Sequence, residues 1–534
     1  MTQEVFVPRQ EKLENLRKRV AGFQEGYRQN IALIGDELVG KTTLLHAFLK
    51  SQNNPRLIHL YLEIKYESQI SFIRRFVGVL LYNFLRQRGI PLAEDLDYLL
   101  AEARRLIPKT AERMSCLLNT AQRRRKQGLF GEILHLTTLI HQENGKYCLV
   151  IFDEFHNLEH LGFRGLYRDW SSMLMTQKTT MYIISSSVKF KAREILAKNL
   201  DLLFGNFEVI TVEPFDIRTS ERLLGEALKG RHYPPGLRNF IVHFTGGYPL
   251  YLKIVTRALE GKEVKDFPEI LDNLLFDTSG ILHQRFSNYL RRFHDRRYSK
   301  DYLCILYLIS SGRNKIHDLT HILHKPRKDI LARVNHLMEL DTVIRCGDFL
   351  MITDRLFSFW MRFVYEEKLH ALTIDAHHQK ARFRDAVASL VRDFSLCAKK
   401  PLNERLIELL HSFEDEMVQM DRKRIRLNHF REVKSLEFEN KRVREGILGR
   451  SHDSLWILAL KKASPTEHDV AAFARECRKY RRYKLQRKII VTMADEIDTN
   501  TRLCALEEKI WTWDINKVNY MLDLFHKPRI MVNS

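Results

Sequence analysis

The stretch Gly35-Asp36-Glu37-Leu38-Val39-Gly40-Lys41-Thr42 sets the tightest limit on what this chain can fold into. It satisfies G-x-x-x-x-G-K-[ST] at every fixed position, with the apolar run "NIALI" before it and the amphipathic run "TTLLHAFLK" after it. A strand, a glycine-bearing turn and a helix in that order aim successive N–H groups at one spot. The helix dipole adds positive potential there, so the turn is suited to phosphate oxygens. The backbone from Gly35 through Thr43 would form the cradle, Lys41 would reach the terminal phosphates, and the Thr42 hydroxyl would ligate Mg²⁺. Asp36 and Glu37 are compatible with a polyanion because backbone groups make the contacts and these side chains can point outward.

A second motif follows in "KYCLVIFDEFHNL". The apolar residues Cys148 to Phe152 predict a buried parallel strand, and Asp153 and Glu154 stand at its C-terminal end, where a doubly wound sheet places its ligand. Asp153 would hold the metal shell and Glu154 would polarise the attacking water. "RLIHLYLEI", "TMYIISSS" and "FEVITVEPF" predict three more strands separated by helical patterns, which is the alternation of a parallel sheet. Ser185, Ser186 and Ser187 end the strand expected beside Asp153. Any of them could sense the γ-phosphate, and Ser185 is preferred.

At 534 residues the chain should hold three or four domains. Its seven cysteines are scattered, which fits reduced, mostly buried thiols rather than disulfides or zinc. The N-terminus lacks a signal-peptide core, and "FVGVLLYNFL" is about half a membrane span, so a cytoplasmic protein without a membrane segment is expected. The net charge of +21 favours a polyanionic partner, DNA or RNA.

"FVPRQEKLENL" is similar to the opening of the signal-transducing STAND ATPases and their archaeal-ATPase relatives, although Pro8 replaces the usual glycine and weakens a nucleotide contact for Arg9. "FTGGYPLYLKIV" resembles the family's lid element, and the resemblance implies that Pro249 lies against the nucleotide base. Read as local chemistry, Gly246 and Gly247 end one helix and Pro249 opens the next. The resemblance covers about residues 1–365. It implies ATP and Mg²⁺ as cofactors and a nucleotide-dependent homo-oligomer as an option. Arg164, Arg168 and Lys191 are candidates for a trans-acting finger, with none preferred.

Residues 300–353 predict three helices and a two-stranded wing. Lys325, Arg327, Lys328 and Arg333 lie on or beside the third helix, where a recognition helix would present cations. A role as a relay packed within the ATPase is an equal alternative. "DRLFSFWMRFVYE" is similar to the segment that closes this domain in the archaeal relatives, with Trp360 and Phe363 read as core.

"DSLWILALKKASPTEHDVAAFARECRKY" followed by "KLQRKIIVTMA" predicts a βαβ unit, its helix capped by Ser464. It resembles the restriction-endonuclease-like domain that relatives carry at their C-termini. Lys461 stands where that fold's lysine belongs, but Ala459 replaces the acid two residues before it, and Glu445 and Asp453 are poor upstream partners. An inactive domain is therefore expected. Its basic run offers Arg478, Lys479, Arg481 and Arg482 to nucleic acid, with Tyr480 and Tyr483 interleaved; "DRKRIR" adds further cations.

The expected architecture is α/β: a P-loop parallel-sheet ATPase core over 1–213, a helical lid over 214–290, a winged helix over 291–366 and a restriction-endonuclease-like α/β domain over 380–534. The expected function is a slowly hydrolysing ATP switch coupled to nucleic acid in defence, regulation or DNA maintenance. A switch acting only on a protein partner and an ATP-gated nuclease are the alternatives. "TGGYP" without a lid arginine argues against a replication-initiator-like loader.

Overall fold

Five short strands, the inner ones buried almost throughout, determine the N-terminal half. They are β1 (Asn30–Ile34), β2 (Leu57–Glu63), β3 (Tyr147–Asp153), β4 (Thr180–Ser186) and β5 (Phe207–Thr211). Every residue of β1 and β4 is buried, as fits inner strands of a sheet covered on both faces. The computed structural model describes residues 9–90, 93–123, 127–200, 207–228, 233–294, 299–369, 376–420, 423–480 and 484–531.

The strands form one parallel sheet in the order β2-β3-β4-β1-β5. β4 thus separates the phosphate-loop strand from the Asp153 strand, and the C-terminal ends of all five lie along one edge. On one face, helices Gln69–Arg86 and Leu129–Asn144 bury Phe72, Phe76, Phe84 and Phe130 with Phe152 and Trp170. Phe130 and Phe152 meet Trp170 edge-on, with centroids 6.0 and 5.7 Å away. Helix Lys41–Lys50 packs beside Gln10–Gln24. The chain divides into two compact units; the first holds residues up to Pro214 together with Tyr248–Leu250.

The second unit joins the remaining elements. Its first part contains helices Ile217–Ala227, Pro235–Thr245, Phe267–Leu271 and Ile281–His294. The long helix Ala376–Lys399, which spans the boundary expected near residue 380, packs on these helices. Phe383 meets Phe276 at 5.3 Å, Phe394 meets Phe240 at 5.6 Å, and Arg384 Nε donates to Asp272 at 2.8 Å. An apolar stripe at helical spacing shows that a helix packs but does not name its partner.

Three helices, Ser299–Ser310, Ile316–Leu323 and Arg327–Glu339, precede the antiparallel pair β6 (Val343–Cys346) and β7 (Phe349–Ile352). This hairpin is not free. Cys346 and Phe349 share one core with Phe413, Trp456 and Leu522 of the terminal region. The Asp348 N–H donates to the Met417 carbonyl at 2.8 Å, and Met417 N–H returns a bond to the Asp348 carboxylate at 2.8 Å. Met417 opens the hairpin β8 (Met417–Met420) and β9 (Lys423–Arg426).

The terminal sheet has the order β10-β11-β12-β13-β14, with β10 (Glu432–Glu437), β11 (Glu445–Arg450), β12 (Leu455–Lys461), β13 (Leu485–Thr492) and β14 (Trp511–Trp513). The first two ladders are antiparallel and the last two parallel. The expected βαβ unit is present, with helix Glu467–Arg478 between β12 and β13. Its cap is Thr466, not Ser464. Thr466 and Asp469 form a capping box that satisfies two orphan donors, whereas Ser464 Oγ donates to the Glu496 carbonyl at 3.4 Å.

A buried carboxylate holds the parts of this unit together. Asp523, on the helix Ile515–Leu524, has a side chain 6% exposed. Arg355 donates to it at 2.5 Å, and Arg529 at 2.9 and 2.7 Å. Burial opposes ionisation of Asp523, but the two guanidiniums outweigh it and hold the carboxyl well below the usual carboxylate range. Arg355 also reaches the half-buried His243 ring at 3.2 Å, so helices Pro235–Thr245, Arg355–Trp360 and Ile515–Leu524 meet at one ionic cluster.

Candidate functional site

The turn after β1 passes so close to the end of β5 that its first residue must lack a side chain. A Cβ on Gly35 would lie 2.1 Å from the Val212 carbonyl oxygen. Leu38 and Gly40 take positive φ, 68° and 90°, which turns consecutive N–H groups toward a common concavity before helix Lys41–Lys50 begins. Arg9 braces the loop from outside, donating to the Val39 carbonyl at 3.0 Å and to the Glu213 carbonyl at 2.5 Å. Pro8 lies outside the described residues. Asp36 points away from the cradle and pairs with Lys189 at 2.6 Å, and Glu37 is exposed.

Lys41 is 4% exposed, and its ammonium donates to the Gly35 and Asp36 carbonyls at 3.1 and 2.9 Å. Burial lowers its pKa, opposed by Glu154 and Asp153. Thr42 Oγ donates to Asp153 Oδ2 at 2.7 Å; Thr42 and Thr43 are both exposed at the start of the helix. The two sequence motifs therefore meet, although 111 residues separate Thr42 from Asp153. Asp153 also accepts from Tyr61 at 2.7 Å and from Ser185.

Glu154 directly follows β3 with φ of 55°, a left-handed conformation that costs a non-glycine residue about 1–2 kcal/mol. The turn aims its carboxylate back across the sheet edge. One oxygen is 4.0 Å from Lys41 Nζ, while the other accepts from Ser187 N at 2.8 Å and Ser187 Oγ at 2.7 Å. Burial raises the Glu154 pKa, with Lys41 and Ser187 pulling the other way. His156 lies 3.4 Å from the same carboxylate; burial and the Lys41 charge depress its ring to about 4, so it is neutral at neutral pH.

The serines thus divide. Ser185 is fully buried on Asp153, Ser186 contacts His156 at 2.9 Å, and Ser187 holds Glu154. Tyr61 and Lys189 escaped the sequence reading, which named Ser187 only as one of three serines and preferred Ser185. Only alternation along β2 could have signalled Tyr61, by placing it on the face opposite Leu60 and Leu62. Pro249 opens helix Pro249–Ala258 and belongs with Tyr248 and Leu250 to the phosphate-loop unit. Of the finger candidates, Lys191 is held by Glu159 at 3.1 Å, whereas Arg164 and Arg168 are exposed.

Four oxygen and nitrogen functions converge at the C-terminal edge: the Thr42 hydroxyl, the Asp153 carboxylate, the Lys41 ammonium and the Glu154 carboxylate. The hydroxyl and carboxylate already share a hydrogen bond. This hard-oxygen pair fits Mg²⁺, which would complete its shell with waters and phosphate oxygens. No helix among the described residues is long and apolar enough to cross a membrane. All seven cysteines are unpaired, and Cys148, Cys346 and Cys477 are the buried ones.

The basic candidates do not share one role. Lys325 and Arg333 both bind Asp301, at 2.6 and 3.0 Å, and so tie helix Arg327–Glu339 to helix Ser299–Ser310. Arg327 and Lys328 stand exposed at the start of helix Arg327–Glu339. Arg478 is exposed, Lys479 pairs with Glu439 and Glu476, and Arg481, Arg482 and Tyr483 lie outside the described residues, as do Asp421 and Arg422. Trp360 is buried, its indole N–H on the Leu275 carbonyl at 3.1 Å. Lys461 is bound to Asp469, Ala459 is buried beside it, and no group of three His, Cys, Asp or Glu residues suited to a metal occurs among the described residues.

The sheet order and the pairing of Lys41 and Thr42 with Asp153 and Glu154 define a P-loop NTPase fold. No protein-family model matches the chain, and no curated protein matches it in sequence. Among solved structures it is similar to a Walker-type ATPase of Pyrococcus abyssi, with 18% identity and a TM-score of 0.49 over 67% of this chain and 97% of that one. It is also similar to the ORC2 protein of Aeropyrum pernix, with 14% identity and a TM-score of 0.39 over 69% of this chain and 98% of that one. A STAND protein with a tetratricopeptide repeat sensor from Pyrococcus horikoshii gives 14% identity and a TM-score of 0.27 over 76% of this chain and 52% of that one.

Proposed function

We propose that the chain is a Mg²⁺-dependent ATPase that hydrolyses slowly and works as a switch. The observation that carries this reading is the meeting of two distant motifs: Thr42 2.7 Å from Asp153, and Lys41 4.0 Å from Glu154. The backbone of residues 35–43 binds the phosphates, and Lys41 exchanges its two carbonyl partners for phosphate oxygens. Thr42 and Asp153 would hold Mg²⁺, which supplies charge neutralisation on the phosphate oxygens when bound. Glu154 orients and deprotonates water. Slow turnover fits the resting arrangement, because Glu154 must release Ser187 before it can serve water. In Lys41→Ala, loss of charge-assisted hydrogen bonds worth about 1.5–3 kcal/mol should weaken Mg²⁺·ATP binding about 10- to 150-fold. Equilibrium binding of a fluorescent ATP analogue reads this directly, and equal affinity of variant and wild type would end the reading.

A nucleic-acid partner is favoured by the net charge of +21 and by Arg327 and Lys328 exposed together at a helix start. With the wing packed into the terminal core, this helix end is the part of the winged domain offered to a duplex. Replacing both residues with Glu should weaken DNA or RNA binding across sequences and reduce the slope of log affinity against log salt by about 1–2. An unchanged slope assigns the winged domain to internal packing and leaves the protein-partner alternative. The terminal sheet, with Lys461 neutralised by Asp469, is read as a non-cleaving module resembling the restriction-endonuclease-like fold. Supercoiled DNA should remain intact with Mg²⁺ or Mn²⁺.

A further inference from the structure

Along the edge strand β2, His59 and Tyr61 alternate with buried Ile58, Leu60 and Leu62, so both rings leave the core on the same face. With the end of helix Lys41–Lys50, the connection after it and the last turns of helix Gln69–Arg86, they line a cleft of about 720 Å³. That volume lies within the range of small-molecule sites. Its lining is unlike ordinary surface: it contains no carboxylate, it includes the exposed cations Lys50 and Arg86, and amides such as Asn53 and Asn83 supply much of its polar wall. His59 Nε2 is buried and meets no donor or acceptor of the protein. Burial lowers this ring to about 4, so at neutral pH it is uncharged and can either donate or accept one hydrogen bond.

We propose that this cleft binds a nucleoside monophosphate, with the phosphate on Lys50 and Arg86 and the base packed against the neutral His59 ring beside the neighbouring amides. An acid-free wall with two cations selects a phosphate, and neutral donors and acceptors select a planar polar group beside it. Tyr61 connects the cleft to the first site. Its ring packs edge-on against His46 at 4.8 Å, and its hydroxyl donates to the same Asp153 oxygen that Thr42 uses. A ligand resting on Tyr61 therefore bears on the metal-holding carboxylate and alters ATP turnover; this second statement, unlike the binding itself, rests on the proposed ATPase.

The test uses the full chain with the first site saturated by Mg²⁺·ATPγS. AMP, GMP, inorganic phosphate and a single-stranded oligonucleotide are titrated separately by calorimetry. One equivalent of AMP or GMP should bind, and more tightly than inorganic phosphate. Lys50→Glu with Arg86→Glu should weaken that binding at least tenfold, while ATPγS affinity, measured alone, stays within twofold. His59→Ala should weaken the mononucleotide without changing inorganic phosphate, and Tyr61→Phe should keep the mononucleotide but lose its effect on ATP turnover. The proposal is overturned if neither mononucleotide binds at millimolar concentration, if the double charge reversal leaves binding intact, or if only the oligonucleotide binds. ATPγS affinity is read independently, so failure of the phosphate-loop reading and failure of this one give different results.

Discussion

Glu154→Gln should bind Mg²⁺·ATP as well as the wild type does but hydrolyse it about 10²–10⁴-fold more slowly, the usual loss when a positioned general base is removed. The amide keeps the size of the carboxylate and can still accept from Ser187, so the left-handed turn at residue 154 and its contacts at 2.7 and 2.8 Å survive. What disappears is the capacity to take a proton from water. The wild type should also show an acid limb in its pH–rate profile. Burial raises the Glu154 pKa, so the base is protonated, and idle, at pH values where an ordinary glutamate would already be ionised. Activity should rise with pH through that raised value, and the limb should vanish in the Gln variant. Single-turnover hydrolysis across pH, with ATP binding measured in parallel, checks both statements. A Gln variant that hydrolyses at the wild-type rate removes Glu154 from the chemistry.

Asp523→Ala should destabilise the second unit by about 3 kcal/mol, the lower end of the range for breaking a buried ion pair. The lower end applies because the Arg355 and Arg529 side chains keep 24% and 29% exposure, so water partly screens the two guanidiniums left behind. The pH dependence has a definite sign. The folded pKa of Asp523 is depressed, so its contribution is fully present above the unfolded carboxylate value of about 3.9 and is lost as pH falls through the lower folded value. Urea midpoints of wild type and Asp523→Asn should therefore converge on acidification below about pH 4. A constant gap between them would place the stabilisation elsewhere.

The phosphate loop and the Asp153-Glu154 strand were legible because their chemistry is local: a turn of fixed length, then a buried run ending in two acids. The strand positions were legible for the same reason, since each is a short apolar run. What the sequence could not show was which distant groups complete a contact. Ser187 and Ser185 differ by two positions on one strand end, and only the turn of Glu154 away from Asp153 decides which serine each acid receives. The helix Ala376–Lys399 carries a clear amphipathic pattern, yet its partners lie more than a hundred residues earlier in the chain. Cation counting could not show that Lys325, Arg333 and Lys479 each pair with a carboxylate of the fold. A positive residue reads the same in sequence whether it faces a phosphate or an aspartate.

The packing of Cys346 and Phe349 against Phe413 and Trp456 makes residues from the last hundred-odd positions part of the β6–β7 hairpin's own interior. Exchanging this C-terminal portion would bare an apolar hairpin to water. Any relative carrying the same hairpin in front of a different tail must supply another greasy cover for it, or have replaced those two residues with polar ones.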